Sequence, residues 1–192
     1  MASITREWQL QAFSDAFTPE IESAYYPACG SDVAPWNTFP EATIVGVDID
    51  DFSVGLLHEQ GVSPVHVADV GDFDFDEPVD AVFLLGHLFK DVKLSTLTSS
   101  IKPGGYVVTD SYVNAGDIAG RQKQDFKIAG KIDRNGLPET SPVDGGEITG
   151  LGILQYLQDR HRSPIPIGTI CLELELTMPD TFKSDLLILR RN

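Results

Sequence analysis

The segment from Thr43 to Asp48 most constrains how this chain can fold. It is β-branched and apolar until it stops at Asp48, and a second carboxylate follows at Asp50. Such a run is typical of a strand that is buried on both faces of a parallel sheet. The segments on either side are therefore expected to include the helices that a parallel sheet needs as crossovers.

Strand and helix patterns alternate along the first 110 residues. The predicted helices are residues 3–19, 52–60 and 88–101. Besides Thr43–Asp48, the predicted strands are residues 21–26, 64–68, 79–85 and 106–109, the last entered through a tight turn at residues 103–105. This alternation predicts right-handed βαβ units with helices on both faces of the sheet.

The C-terminal half has a weaker pattern. Phe126, Ile128 and Ile132 lie at alternating positions, which predicts an extra strand or hairpin. The remaining predicted elements are a helix over residues 148–158 and a closing hairpin formed by residues 169–176 and 184–189. Together these patterns predict an α/β fold whose sheet is mostly parallel, with an antiparallel edge.

The composition narrows the class of protein. The chain has 192 residues, of which 42% are hydrophobic, and this suits one globular domain. Its net charge of −15 repels phosphate backbones and disfavours nucleic acid as a partner. The sequence has no apolar run of about 20 residues that could cross a bilayer and no secretory signal at its start. A cytoplasmic protein without a membrane partner is expected.

Neither a disulfide nor a metal site is expected. Cys29 and Cys171 are far apart and flanked by small or apolar residues, which favours two buried free thiols. The loop at residues 71–78 contains carboxylates whose oxygens could bind calcium, but it lacks the glycine and the final glutamate of an EF-hand loop. A solvated acidic turn is the favoured interpretation.

A small-residue turn precedes the strand at Thr43. Residues 28–31 read Ala-Cys-Gly-Ser, and Gly30 allows the backbone to approach a ligand without a Cβ in the way. Asp48 follows 18 positions later (48 − 30 = 18). In dinucleotide-type folds an acidic residue about 20 positions after the glycine turn accepts hydrogen bonds from ribose hydroxyls. The spacing indicates a nucleoside site.

Two residues at predicted strand ends are candidates for acid–base chemistry. His87 follows the strand at residues 79–85 and could take a proton from an acceptor, because imidazole has a pKa near ~6.5. It could equally be a helix-start residue on the rim. Asp110 follows the fifth strand, on the side where such sheets bind ligands, or it caps a turn.

In this order the motifs resemble those of class I S-adenosylmethionine-dependent methyltransferases. They are the small-residue turn, then VGVDID, VADV, VDAVFLLG and IKPGGYVVTDS, and finally the terminal hairpin. The likeness extends from about Tyr25 to the C-terminus. It implies a three-layer Rossmann-like fold with seven strands, the last of them antiparallel. The length and the N-terminal helical pattern add to this a single domain over residues 1–192 that begins with a helix within residues 1–20.

The resemblance also implies S-adenosylmethionine as the cofactor and assigns its contacts. The positions are Ala28, Cys29, Gly30, Ser31 and Asp32 for the methionine end, Asp48 and Ile49 for ribose and adenine, Asp69 and Val70 for the adenine edge, and Leu85, Gly86 and His87 for the floor of methyl transfer. These roles suit the residues, since a carboxylate can accept from a diol or an exocyclic amine and a branched side chain can cover a ring.

The glycine motif of the family is reduced in this chain. An acidic residue followed by Gly-x-Gly-x-Gly is usual, whereas residues 26–32 read Tyr-Pro-Ala-Cys-Gly-Ser-Asp. A methyltransferase-like binding or scaffold protein without turnover therefore stays open as an alternative. A nicotinamide-dependent oxidoreductase is a weaker option, because pyrophosphate needs close backbone approach at a helix N-terminus.

The expected acceptor is a small molecule or another group that is not nucleic acid. No Asn/Asp-Pro-Pro-Tyr follows the fourth strand, which disfavours methylation of DNA bases or glutamine. Residues 112–144 would form a lid or insertion. Its basic residues could recruit an acidic substrate or dock against a second copy of the chain, which leaves a homodimer open. They are Arg121, Lys123, Lys127, Lys131 and Arg134.

Overall fold

One mixed β-sheet runs through the part of the chain that the structure describes. The computed structural model describes residues 2–72, 77–86, 99–110, 125–132, 137–139 and 185–192. The helices are α1 (Ala2–Phe17), α2 (Ala34–Thr38) and α3 (Asp51–Glu59). The strands are β1 (Ser23–Pro27), β2 (Thr43–Asp48), β3 (Val65–Val67), β4 (Val79–Leu84), β5 (Ile101–Thr109), β6 (Phe126–Ile132), β7 (Pro138–Glu139) and β8 (Leu186–Arg191).

The strand order is β3-β2-β1-β4-β5-β8-β6-β7. The first five strands are parallel, and their order reverses between β1 and β4. The C-terminal strand β8 lies antiparallel between β5 and β6, with Leu187 opposite Thr109 and Leu186 opposite Ile132. Seven strands of three or more residues and the two-residue β7 make up the described sheet. The predicted α/β fold, mostly parallel with an antiparallel C-terminal strand, is confirmed.

Both faces of the sheet are buried, as the apolar strand patterns predict. One face carries Tyr26, Ile44 and Phe83 and packs against side chains of all three described helices. The other face forms a second core cluster with Tyr25 and Val82. Full burial of each large apolar side chain contributes about 1.5–3 kcal/mol relative to exposure, so these two clusters stabilise the strand order that positions the site.

The helix α1 is anchored to the first face by its second half. Leu10 and Phe13 are fully buried, and the Phe13 ring meets the Tyr106 ring edge-on at 5.6 Å between centroids. Among the described residues, no helix is both long enough and apolar enough to span a bilayer. Because the second half of α1 is anchored, its N-terminal half reaches the carboxyl end of β5, where Arg6 contacts Asp110.

The crossover helix α3 has a side-chain cap at its start, an apolar buried side and a glycine after its end. Asp50 accepts from the Ser53 N–H at 3.3 Å and from its hydroxyl at 2.6 Å, which caps the first turn. Val54 and Leu57 are the buried residues of this helix. Gly61 follows with a φ of +80°, a conformation that suits glycine after a helix end.

The predicted tight turn at residues 103–105 falls inside β5 rather than before it. The strand begins at Ile101, not at residue 106. Ile101 pairs with Val79 and Tyr106 pairs with Ala81, so residues 102–105 form a bulge opposite Asp80 alone. Gly104, with a φ of +81°, lies in this bulge. Ile101, predicted to end a helix, is a strand residue because it pairs with Val79.

The strand predicted around Phe126 is confirmed as β6. The last predicted strand is also confirmed, shifted to Leu186–Arg191. Its predicted hairpin partner at residues 169–176 and the helix at residues 148–158 lie outside the described residues.

Candidate functional site

The carboxyl ends of β1, β2, β4 and β5 lie along one edge of the sheet. The strand order reverses between β1 and β4, and open α/β sheets bind ligands in the crevice at such a reversal. Every predicted site residue in the described part of the chain ends or follows one of the parallel strands β1 to β5 at this edge.

The turn after β1 is tight and open on one side. Ala28 and Gly30 both have positive φ, +50° and +53°. A Cβ built on Gly30 would have no atom of the described residues within 4 Å, so the backbone there is accessible to a ligand. The Cys29 N–H donates to the Val47 carbonyl oxygen at 3.2 Å, which ties the turn to the end of β2.

Asp48 joins the two halves of the predicted nucleoside site. Its Oδ2 accepts from the Gly30 N–H at 2.7 Å, and its Oδ1 accepts from the Asp50 N–H at 2.9 Å. The residue is 9% exposed. Each carboxylate oxygen carries two lone pairs, so one acceptor site on each oxygen is left after these two bonds. The structure thus brings together the turn and the carboxylate that are 18 residues apart in sequence.

Large apolar side chains stand exposed beside Asp48. Ile49 is 71% exposed and Phe52, in the first turn of α3, is 70% exposed. Val67 pairs with Asp48 in the β2–β3 register and is 55% exposed. Exposed apolar surface next to a fixed carboxylate can cover the flat face of a heterocycle. Phe52 was not predicted as a site residue, because its helical position alone gives no sign of exposure.

The end of β3 lies next to the backbone of Asp48. The Ala68 N–H donates to the Asp48 carbonyl oxygen at 3.0 Å. Asp69 is exposed, and its Oδ1 accepts from the Gly71 N–H at 2.8 Å, which closes a local turn. Val70 is half-buried against the second core cluster. The predicted adenine-edge residues, Asp69 and Val70, therefore come shortly after β3, the strand that pairs with the end of β2 at Asp48.

A charged cluster occupies the other half of the edge. The Arg6 guanidinium, reaching from α1, donates from Nη2 to Asp110 Oδ2 at 2.7 Å. The Gly86 N–H lies 3.0 and 2.8 Å from the two Asp110 oxygens. Burial raises the pKa of the Asp110 carboxyl, and the Arg6 charge acts in the opposite direction. Through these contacts Asp110 holds the Gly86 backbone at the end of β4 and the Arg6 guanidinium. Asp110 therefore has a structural role, and its predicted catalytic role stays a prediction.

Asp32 extends this cluster to the turn after β1. Its Oδ2 accepts from the Tyr26 hydroxyl at 2.8 Å and lies 3.7 Å from Arg6 Nη1. Its Oδ1 accepts from the Ala34 N–H at 3.1 Å, at the start of α2. Burial raises the pKa of Tyr26 well above its ordinary value, so the hydroxyl remains a donor.

Arg6 is the site residue that the sequence analysis missed. It is the single basic residue in the 16 residues of α1, which was a signal, but nothing local connects it to the strand ends. Its guanidinium lies over Gly86, where an added Cβ would be 3.5 Å from Nη1. Gly86 itself has a φ of +76°.

The remaining predicted positions have different surroundings. Leu85 is buried at 2% exposure, so it supports the floor of the site from within the core. Ser31 is exposed on the turn. His87 lies outside the described residues, as do the carboxylates at positions 74 and 76 of the acidic loop. Within the described ranges, no group of three His, Cys, Asp or Glu residues is placed to hold a metal ion.

Cys29 sits between the two halves of the edge. Burial raises the pKa of its thiol to about 12, and the charges of Asp48 and Asp32 add to that effect. At 2% exposure the thiol is a neutral packing group rather than a nucleophile. For Cys29 the predicted buried free thiol is confirmed.

The chain has the fold of class I methyltransferases. It superposes on the N-methyltransferase NodS from Bradyrhizobium japonicum over 97% of this chain and 93% of NodS, with a TM-score of 0.53 and 11% identity. The plantazolicin methyltransferase BpumL, solved in complex with S-adenosylhomocysteine, superposes over 100% of this chain and 84% of its own, with a TM-score of 0.50 and 12% identity.

Other comparisons are partial or negative. DesVI of Streptomyces venezuelae matches over 57% of this chain at 19% identity and a TM-score of 0.44, and the chain spans about half, 52%, of DesVI. No protein-family model and no curated protein match the sequence.

Proposed function

We propose that this chain is an S-adenosylmethionine-dependent methyltransferase that acts on a small molecule or another acceptor that is not nucleic acid. The observation that carries the proposal is the fixed Asp48 carboxylate, which accepts from the Gly30 N–H at the open turn. The exposed Ile49 follows Asp48 directly, and the exposed Phe52 lies in the first turn of α3. This arrangement offers acceptors for a diol and apolar cover for a base, which are the needs of the adenosine half of the cofactor.

The residues present fit that cofactor. The accessible backbone at Gly30 leaves room for a ligand to approach, and Asp48 has an acceptor site left on each oxygen. The Asp32–Arg6–Asp110 cluster lies toward the methionine end, with Gly86 beneath the guanidinium. When bound, the cofactor supplies an activated methyl group, so the chain's main contribution is to hold the two reactants in line.

The surface charge supports an acceptor other than nucleic acid. A net charge of −15 opposes a phosphate backbone. Of the predicted basic run, Lys127 and Lys131 lie on β6, and Lys127 is exposed. Residues 112–144 are proposed to be an insertion, since their described parts form the strands β6 and β7 of the sheet. A cytoplasmic location is also part of the proposal, and a homodimer stays open.

Titration calorimetry with S-adenosylmethionine tests the cofactor site directly. We expect binding near 1 μM, about −8 kcal/mol. Asp48→Asn keeps the size of the side chain but removes its charge and one acceptor. We expect it to weaken binding at least tenfold, about 1.4 kcal/mol.

Asp51→Asn is the matched control, because Asp51 is an exposed carboxylate three residues further along the chain. This variant should bind like the wild type. Equal binding by the wild type and Asp48→Asn would contradict the proposal. Cofactor binding without formation of S-adenosylhomocysteine across a panel of amine, hydroxyl and thiol acceptors would instead favour the binding or scaffold alternative.

A further inference from the structure

The Asp32–Arg6–Asp110 cluster carries a surplus negative charge. We propose that this charge makes the site select the cationic form of its cofactor, so that S-adenosylmethionine binds more tightly than S-adenosylhomocysteine. The inference rests on the proposed function and adds charge selectivity to the same site. It makes Arg6, Asp32 and Asp110 specificity-determining residues.

The charge count follows from the hydrogen-bond geometry. Arginine stays protonated in proteins, so Arg6 contributes one positive charge. The Asp110 oxygens face the Arg6 guanidinium and the Gly86 N–H at 2.7 to 3.0 Å, and these donors match an ionised carboxylate. Asp32 accepts from the Tyr26 hydroxyl and the Ala34 N–H, and its Oδ2 lies 3.7 Å from Arg6 Nη1. Two carboxylates against one guanidinium leave a net charge of −1.

This charge is poorly screened by solvent. The side chains of Arg6 and Asp32 are each 20% exposed, and that of Asp110 is 8% exposed. Charges that are partly buried interact more strongly than exposed ones and are less sensitive to salt. A cationic group within the crevice is therefore stabilised, whereas a neutral group of the same shape gains nothing from the surplus charge.

S-adenosylmethionine and S-adenosylhomocysteine differ at the sulfur atom, where the charge of the cluster can act. Both contain the same nucleoside, ammonium and carboxylate, so contacts to those groups cancel in the ratio of their dissociation constants. They differ by one methyl group and by the positive charge on sulfur. In the transfer, the acceptor's lone pair forms the bond to the methyl carbon, the C–S pair returns to sulfur, and the acceptor's proton passes to solvent. The product thioether is neutral, so the same cluster that favours the cofactor favours release of the product.

Calorimetric titration of both ligands against three proteins tests this selectivity. The wild type is compared with Asp32→Asn, which removes the more exposed carboxylate of the cluster. Asp15→Asn is the charge-matched control, since Asp15 is exposed on the same helix, nine residues and about 13 Å beyond Arg6. That separation exceeds the Debye length of about 8 Å at 0.15 M salt. Urea unfolding checks that all three proteins are folded.

The expected result is a ratio of dissociation constants that depends on Asp32. In the wild type and Asp15→Asn, S-adenosylhomocysteine should bind at least fivefold more weakly than S-adenosylmethionine. In Asp32→Asn the ratio should fall at least threefold. Equal affinities in the wild type, or a ratio that Asp32→Asn leaves unchanged, would overturn the inference while the cofactor site stands. Binding of neither ligand would overturn the proposed function and this inference together.

Discussion

Replacing Gly105 with alanine is expected to destabilise the protein by about 3 kcal/mol. Gly105 lies in β5, and a Cβ there would be 2.7 Å from the Asp80 carbonyl oxygen, 2.8 Å from Ile101 Cγ2 and 2.9 Å from the Lys102 carbonyl oxygen. Two of these three atoms are backbone oxygens, one in the central strand β4 and one in the bulge of β5, so the contacts are relieved only if the backbone shifts. Urea unfolding at pH 7 measures the loss as a lower midpoint.

Gly55→Ala is the matched control for this substitution. Gly55 lies in α3, and a Cβ there would have no atom of the described residues within 4 Å. Alanine is the better helix former, so this variant should be more stable than the wild type by up to about 1 kcal/mol. If the two glycine variants unfold at the same urea concentration, the contacts around Gly105 are more adaptable than their distances indicate.

The same region shows where sequence reasoning about the fold succeeds and fails. The strand at Thr43–Asp48 is found at its observed bounds because it is apolar on both faces, a property of the segment itself. The Pro-Gly-Gly segment does break the regular pairing, but its place inside β5 could not be predicted, because it depends on Ile101 pairing with Val79 of another strand. Patterns that a segment carries alone can be predicted, and irregularities imposed by a neighbouring strand cannot.

The candidate site also contains one contact that the sequence could predict and one that it could not. The Gly30–Asp48 contact could be predicted, because two parallel strands with adjacent carboxyl ends must place their terminal residues together. The Arg6–Asp110 pair could not, because it joins residues 104 apart through the docking of α1 on the sheet. The burial of Leu10 and Phe13 sets that docking, and the side chain four residues before Leu10 is thereby carried over the strand ends.

This docking links the stability of the N-terminal helix to the charges of the site. Arg6 is held between Asp110, at the end of β5, and Asp32, in the turn after β1. Without the guanidinium, the two carboxylates would face each other with no cation between them in a poorly solvated crevice. The cluster is therefore a structural element as well as a candidate recognition element, and the two roles can be separated by experiment.

Arg6→Met is expected to cost about 3 kcal/mol of stability at neutral pH. Methionine retains the apolar part of the side chain but leaves Asp110, 8% exposed, as a buried charge without its cation. Urea unfolding of the wild type and the variant at pH 7.5 measures the difference. The double variant Arg6→Met with Asp110→Asn removes that buried charge and should recover most of the loss, and recovery of none of it would show that Asp110 is not the reason.

The pH dependence of this loss has a defined sign. Burial raises the folded-state pKa of Asp110 above its unfolded value, so the folded state binds more protons in that window and stability falls as pH rises through it. Removing Arg6 removes the charge that opposes the rise, so the pKa moves further up in the variant. At acidic pH, with Asp110 protonated in both states, Arg6→Met should therefore cost little, and the cost should grow as the pH approaches neutrality. A loss that is equally large at pH 4 and pH 7.5 would mean that Arg6 stabilises the fold by packing, since a loss caused by the carboxylates that face Arg6 must depend on pH.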